Sequence, residues 1–174
     1  MRFWPQGGKN VFEVDKDQLK GKTTVRELFE TASEFERTAH VFYADLKDKV
    51  SKNIRYLVGE LAEEELEHMR IFAQLAKHPD VVEIMAVEID RPVADREFSD
   101  CVLLPDLGNI PNDQDVLQYA IMREDAARRQ YAELAETAPG GPLKSAFIVL
   151  ADEETKHKKE LEKIYDDLVH SGSV

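Results

Sequence analysis

The sequence predicts an all-α fold, a four-helix bundle with a long crossover between its second and third helices. Three observations carry that expectation. Apolar residues recur at helical spacing in four stretches, about 24–50, 51–77, 113–138 and 142–170. Between the second and third lies a stretch, 78–112, with four prolines and no sustained period. A polar motif then interrupts the apolar stripes at matching places, and it occurs twice.

The first helix opens at Thr24, with Glu27 three residues on, the pattern of a capping box. Its stripe runs Val25, Leu28 and Phe29, Ala32, then Ala39, Tyr43, Leu46 and Val50, and Glu36 fills the gap. Residues 1–22, with Gly7, Gly8 and Gly21, read as an irregular N-terminal arm ahead of a bundle domain over 23–174. The second helix starts near Ser51. Its stripe is Ile54, Leu57 and Val58, Leu61, then Phe72 and Leu75, with Glu65 and His68 in the gap. Pro79 stops it, because a proline disfavours helix at the residue before it.

The 78–112 stretch is long for a connection inside one domain. A crossover from one end of the bundle to the other explains it, with the second and third helices running parallel. Its two short apolar runs, Val81 to Val87 and Val102 to Leu104, fit either a strand or a docked turn. The third helix begins at Asn112 or Asp113, with stripe Leu117, Ala120, Ala127, Tyr131 and Leu134 and with Glu124 in its gap. Pro139-Gly140-Gly141-Pro142 ends it, and Pro142 suits the first position of the next helix. That helix places Phe147, Leu150, Leu161, Ile164 and Leu168 around Glu154 and His157.

The interrupting motif is Leu61-Ala-Glu-Glu-Glu-Leu-Glu-His68 and again Leu150-Ala-Asp-Glu-Glu-Thr-Lys-His157. Each copy ends in Glu-x-x-His, and three residues of helix are roughly 300° of turn, so both side chains share one face. The halves match further. Glu36-x-x-Ala39-x-x-x-Tyr43 corresponds to Glu124-x-x-Ala127-x-x-x-Tyr131, so a helical hairpin is repeated within the chain. Glu36, Glu65, His68, Glu124, Glu154 and His157 all fall where the period expects core residues. An unpaired buried carboxylate costs several kcal/mol. Four of them need positive charge, and the central stripe positions hold neither Arg nor Lys. Two divalent cations would balance four carboxylates, and oxygen and imidazole donors suit Fe, Mn or Zn. The alternatives for the six are core ion pairs or a solvated face. Tyr43 and Tyr131 are core tyrosines whose hydroxyls can reach the ligand carboxylates. Glu63, Glu64, Asp152 and Glu153 read as a solvated face or an outer layer around the site. His40 lies beside its stripe, and His78 and His170 read as helix-end residues.

Bulk composition excludes several classes. A 174-residue chain with 43% hydrophobic residues suffices for one sizeable core. The net charge of −12 argues against nucleic acid and anionic membranes as partners. The single cysteine, Cys101, excludes an intramolecular disulfide framework and a four-cysteine metal site. With no apolar run suited to a signal peptide or a membrane span, the expected location is the cytoplasm.

Glu-x-x-Ala-x-x-x-Tyr followed by Glu-Glu-x-x-His, twice, resembles the ferritin-like superfamily and, within it, the rubrerythrin-type carboxylate di-iron domains. The resemblance spans about 24–77 and 113–170. It implies a di-iron centre with Glu36 and Glu124 as terminal ligands, Glu65 and Glu154 as bridging carboxylates, and His68 and His157 each on one iron. It implies an oxidoreductase that oxidises Fe(II) with O2 or H2O2, as a ferroxidase or a peroxide scavenger in oxidative stress, with Tyr43 and Tyr131 tuning the metals from behind. Two departures stand out. One cysteine cannot build the rubredoxin-like module, so the electron donor is one that the sequence does not name. Ala127 stands where rubrerythrins carry a further carboxylate, which leaves a symmetric six-ligand set like that of bacterioferritin-type centres. The other readings are a non-catalytic metal-binding protein and a structural interaction bundle whose metals pin the core. A homodimer is the expected assembly.

Overall fold

The capping box expected at Thr24 starts the bundle. In the computed structural model, which describes residues 23–89 and 112–170, the Glu27 N–H donates to Thr24 Oγ1 at 3.2 Å and the Thr24 N–H donates to Glu27 Oε2 at 2.7 Å. Helix α1 (Val25–Leu46) follows directly from β1 (Thr23–Thr24). The turn after α1 differs from expectation. Helix α2 covers Arg55–Leu75 and begins four residues beyond Ser51. Ser51 is engaged elsewhere: its N–H donates to Asp113 Oδ1 at 3.1 Å and its hydroxyl donates to Asp113 Oδ2. The serine ties this turn to the start of the third long helix, while its Oγ also accepts from the Asn53 N–H at 3.1 Å.

Pro79 stops α2 and, at the first helical position, opens the short helix α3 (Pro79–Ile84). The run Val81 to Val87 is thus a helix and a turn, with Val81 and Met85 buried. Strand β2 (Glu88–Ile89) comes after it and pairs antiparallel with β1, Thr23 opposite Ile89 and Thr24 opposite Glu88. This two-rung ladder lashes the start of the crossover to the head of α1. The N-terminal arm 1–22 and the rest of the crossover, including Cys101 and the run Val102 to Leu104, lie outside the described residues.

Helix α4 (Asp113–Thr137) is capped by Asn112, whose Oδ1 accepts from the Gln114 N–H at 2.8 Å. Gly141 sits at φ 130°, a conformation only glycine adopts freely, and turns the chain into α5 (Pro142–His170). The four long helices are about 32–44 Å each at 1.5 Å per residue. They pack as two hairpins, α1 against α2 and α4 against α5.

The core is divided along its length. One apolar layer contains Phe29, Phe35, Phe72, Leu134, Phe147 and Leu150; the other contains Phe42, Leu46, Ile54, Leu61, Leu117 and Leu161. Glu36, Glu65, His68, Glu124, Glu154 and His157 are all buried as well. None of the described helices is long and apolar enough to cross a membrane.

Candidate metal centre

Each long helix contributes to this polar set from the gap in its apolar stripe. Helices α1 and α4 bring Glu36 and Glu124; α2 and α5 bring the Glu-x-x-His pairs. The six side chains form two overlapping groups. One is Glu36, Glu65, His68 and Glu154; the other is Glu65, Glu124, Glu154 and His157. Within each, one ligand atom per residue lies within 4.8 Å of the others. Glu65 and Glu154 belong to both groups, whereas Glu36, His68, Glu124 and His157 each belong to one.

The histidines face inward by Nδ1. His68 Nδ1 lies 3.3 Å from an oxygen of each of Glu36, Glu65 and Glu154. His157 Nδ1 lies 3.4 Å from Glu124 Oε2 and from Glu154 Oε2. The rings stack, with centroids 5.8 Å apart and planes 17° from parallel. Their outer nitrogens are held across the hairpins. His68 Nε2 lies 3.1 Å from Glu153 Oε2 on α5, and His157 Nε2 lies 3.2 Å from Glu64 Oε2 on α2. Both outer carboxylates are partly exposed, at 36% and 50%. Glu63 and Asp152 face solvent. So of the four flanking acids, Glu64 and Glu153 back the histidines and the other two do not.

The tyrosines cross over in the same way. Tyr43 of α1 donates to Glu124 Oε1 on α4, and Tyr131 of α4 donates to Glu36 Oε1 on α1. Burial, and then the neighbouring carboxylate, keeps both phenols well above their ordinary pKa, so they remain neutral donors. His40 joins neither group. It is half-buried, with Nδ1 2.7 Å from the Ala62 carbonyl. His78 precedes α3 without a side-chain capping bond, and His170 is exposed at the end of α5.

Whether a metal pair fits here can be tested on atoms left without partners. Glu65 Oε2, Glu124 Oε2, both oxygens of Glu154 and His157 Nδ1 are buried and make no hydrogen bond among the described residues. Buried polar atoms are almost always hydrogen-bonded. Five unsatisfied donor atoms converging in one layer, all oxygen or imidazole, fit cations of the Fe, Mn or Zn type. The electrostatics agree. Burial pushes Glu65 well above the usual carboxylate range, and the charges of Glu36, Glu154 and Glu124 push it further. Burial and the Glu124 charge push Glu154 up to about 8. Burial acts against Glu124 too, but the close approach of Glu154 and His157 and the hydrogen bond from Tyr43 bring it down to about 2. Burial also opposes protonation of His157, yet its carboxylate neighbours raise it to about 11, and His68 is raised in the same sense. The polypeptide alone balances its carboxylates with protons, which bound metal ions would displace.

The central stripe positions hold no Arg or Lys, but one cation is buried just off the stripe. Arg123 is wholly buried. Its Nη2 donates to the Phe35 carbonyl at 2.7 Å and to Thr38 Oγ1 at 2.9 Å. Its guanidinium carbon lies 4.2 Å from the centre of the Phe35 ring. The signal was in the sequence, one step off the stripe: Val116, Tyr119, Arg123, Ala126 and Gln130 form a second buried row at helical spacing.

Comparison with curated proteins and with solved structures finds no match to the chain. The family model for Rubrerythrin matches residues 115–173, nearly all of α4 and the whole of α5 with Glu124, Glu154 and His157, and this match is consistent with a ferritin-like domain of the rubrerythrin type.

Proposed function

We propose that the protein is a di-iron oxidoreductase that couples Fe(II) oxidation to reduction of O2 or H2O2. The observation that carries this reading is the pair of four-residue groups sharing Glu65 and Glu154. Glu36, Glu65, His68 and Glu154 would hold one ion, and Glu65, Glu124, Glu154 and His157 the other. Iron there supplies two one-electron equivalents to an oxidant. The chain's own part is to position and to protect. Tyr43 and Tyr131 fix one oxygen of Glu124 and Glu36, which leaves the other free to ligate. Glu64 and Glu153 hold His157 and His68 so that Nδ1 points inward. The apolar layers on either side keep bulk water from the carboxylates. The same partly exposed glutamates give protons a short path between the imidazoles and solvent.

The test is metal content followed by turnover. Metal-free protein is loaded with Fe(II) anaerobically, the bound iron is counted, and O2 or H2O2 is added with an excess of Fe(II) or of a chemical reductant. Two irons per chain and many oxidant molecules consumed per chain are the expected outcome. Oxidation that stops after one equivalent of bound iron would identify a metal-binding protein instead. Intact helices with no iron bound would refute the metal reading altogether.

A further inference from the structure

The repeat aligns Glu36 with Glu124, so the residues just before them, Phe35 and Arg123, occupy equivalent places in the two hairpins. They are not equivalent chemically, and they touch. The guanidinium lies over the Phe35 ring and donates to the Phe35 carbonyl and the Thr38 hydroxyl. An otherwise near-symmetric layer therefore carries a permanent buried cation on one side, seated against the residues that flank Glu36. Arginine cannot ligate a metal and does not give up its proton in proteins. Burying it costs several kcal/mol, and the two hydrogen bonds to α1 offset only part of that. Burial opposes its charge, while the Tyr119 hydroxyl and the Glu65 carboxylate favour it.

Building on the di-iron reading, we propose that Arg123 is the charge-setting residue of the metal layer: a fixed buried cation that weakens the hold on divalent ions and raises the reduction potential of the pair. The physical reason is Coulombic. In a poorly screened core, a positive charge beside the ligands opposes each further positive charge brought among them, and it opposes the more oxidised state most. A plain clamp between α1 and α4 would need the donors but not the charge.

The experiment separates the two. Mn(II) is titrated calorimetrically into metal-free wild type, Arg123→Gln, Arg123→Lys and Thr38→Val, and the midpoint potential of the iron-loaded forms is measured by spectroelectrochemistry. Arg123→Gln keeps a donor and loses the charge: it should bind Mn(II) at least about tenfold tighter, the scale of one unit charge near a buried ion, with a lower potential. Arg123→Lys and Thr38→Val keep the charge and break the clamp. They should melt earlier with wild-type affinity and potential. Equal shifts in the Gln and Lys variants, or no shift in Gln, would overturn the assignment. Should Arg123→Gln fail to fold, a tenfold change in either charge-retaining variant overturns it as well. Wild type that takes up no Mn(II) would overturn the metal reading along with it, whereas tight Mn(II) binding unaltered in Arg123→Gln would overturn the role of Arg123 alone.

Discussion

Glu124 and Glu154 sit in the same buried layer but differ in one respect that can be measured. Glu124 belongs to one of the two groups that could hold an ion and Glu154 to both. Replacing Glu124 by alanine leaves the Glu36, Glu65, His68 and Glu154 group complete, so one ion should remain. Replacing Glu154 leaves three donors in each group and should abolish tight binding of both. An ion present at a hundred times its Kd stabilises a folded chain by about 2.7 kcal/mol, so a bound pair would contribute about 5.4 kcal/mol. For a chain of this size each kcal/mol moves Tm by about 2–4 °C, so the metal-dependent shift should be about 11–22 °C in wild type and about 5–11 °C in Glu124→Ala. In Glu154→Ala it should be close to zero. Each variant is compared with itself, metal-loaded against chelated, so the change in the metal-free fold cancels. That change has terms of both signs: the Tyr43 hydroxyl loses its acceptor in Glu124→Ala, while one buried carboxylate is relieved. Thermal melts with metal analysis of the same samples give both readouts. Equal metal-dependent shifts in the two variants would refute the division into shared and unshared ligands.

Tyr131→Phe removes a buried hydrogen bond to a charged acceptor and should cost about 1.5–3 kcal/mol in urea unfolding of the metal-free protein, with Tyr43→Phe costing a similar amount because the two bonds are equivalent across the repeat. Glu153→Ala takes away the partner of His68 Nε2 and should weaken metal binding by about 10–100-fold in competition titrations, while the partly exposed side chain leaves the unfolding midpoint nearly unmoved. Leu150→Ala, fully buried one turn before Glu154, should cost about 2–5 kcal/mol with an unchanged urea m-value.

The hairpin repeat and the gaps in the four apolar stripes were legible in the sequence because both are local, periodic signals. A helix cannot hide which residues share its face, so six polar residues at core positions could be read directly. What the period cannot report is partnership across helices. Nothing in the order of residues says that Tyr43 meets Glu124 instead of Glu36, or that Glu153 rather than Asp152 reaches His68; those choices follow from the rotation and stagger of packed helices. Arg123 was missed for a related reason. A long charged side chain beside a stripe is usually solvated, and only the close approach of α1, with a carbonyl and a ring to receive the guanidinium, makes the inward position tolerable. Ser51, near the expected start of α2, holds a partner 62 residues away in Asp113, an attachment that no local rule contains.

The ligand groups also divide unevenly between the hairpins. The first group takes Glu36, Glu65 and His68 from one hairpin and only Glu154 from the other; the second takes Glu124, Glu154 and His157 from one and only Glu65 from the other. As a metal site, each hairpin would therefore be one donor short of completing its own group, and it would lend the other the donor that is missing. Two separate copies of a single such hairpin, paired about a twofold axis, would build the same two sites, each copy finishing its twin. Joining the copies into one chain frees them from identity: a phenylalanine in one half can face an arginine in the other, and the two metal positions can come to differ in a way that identical subunits could not allow.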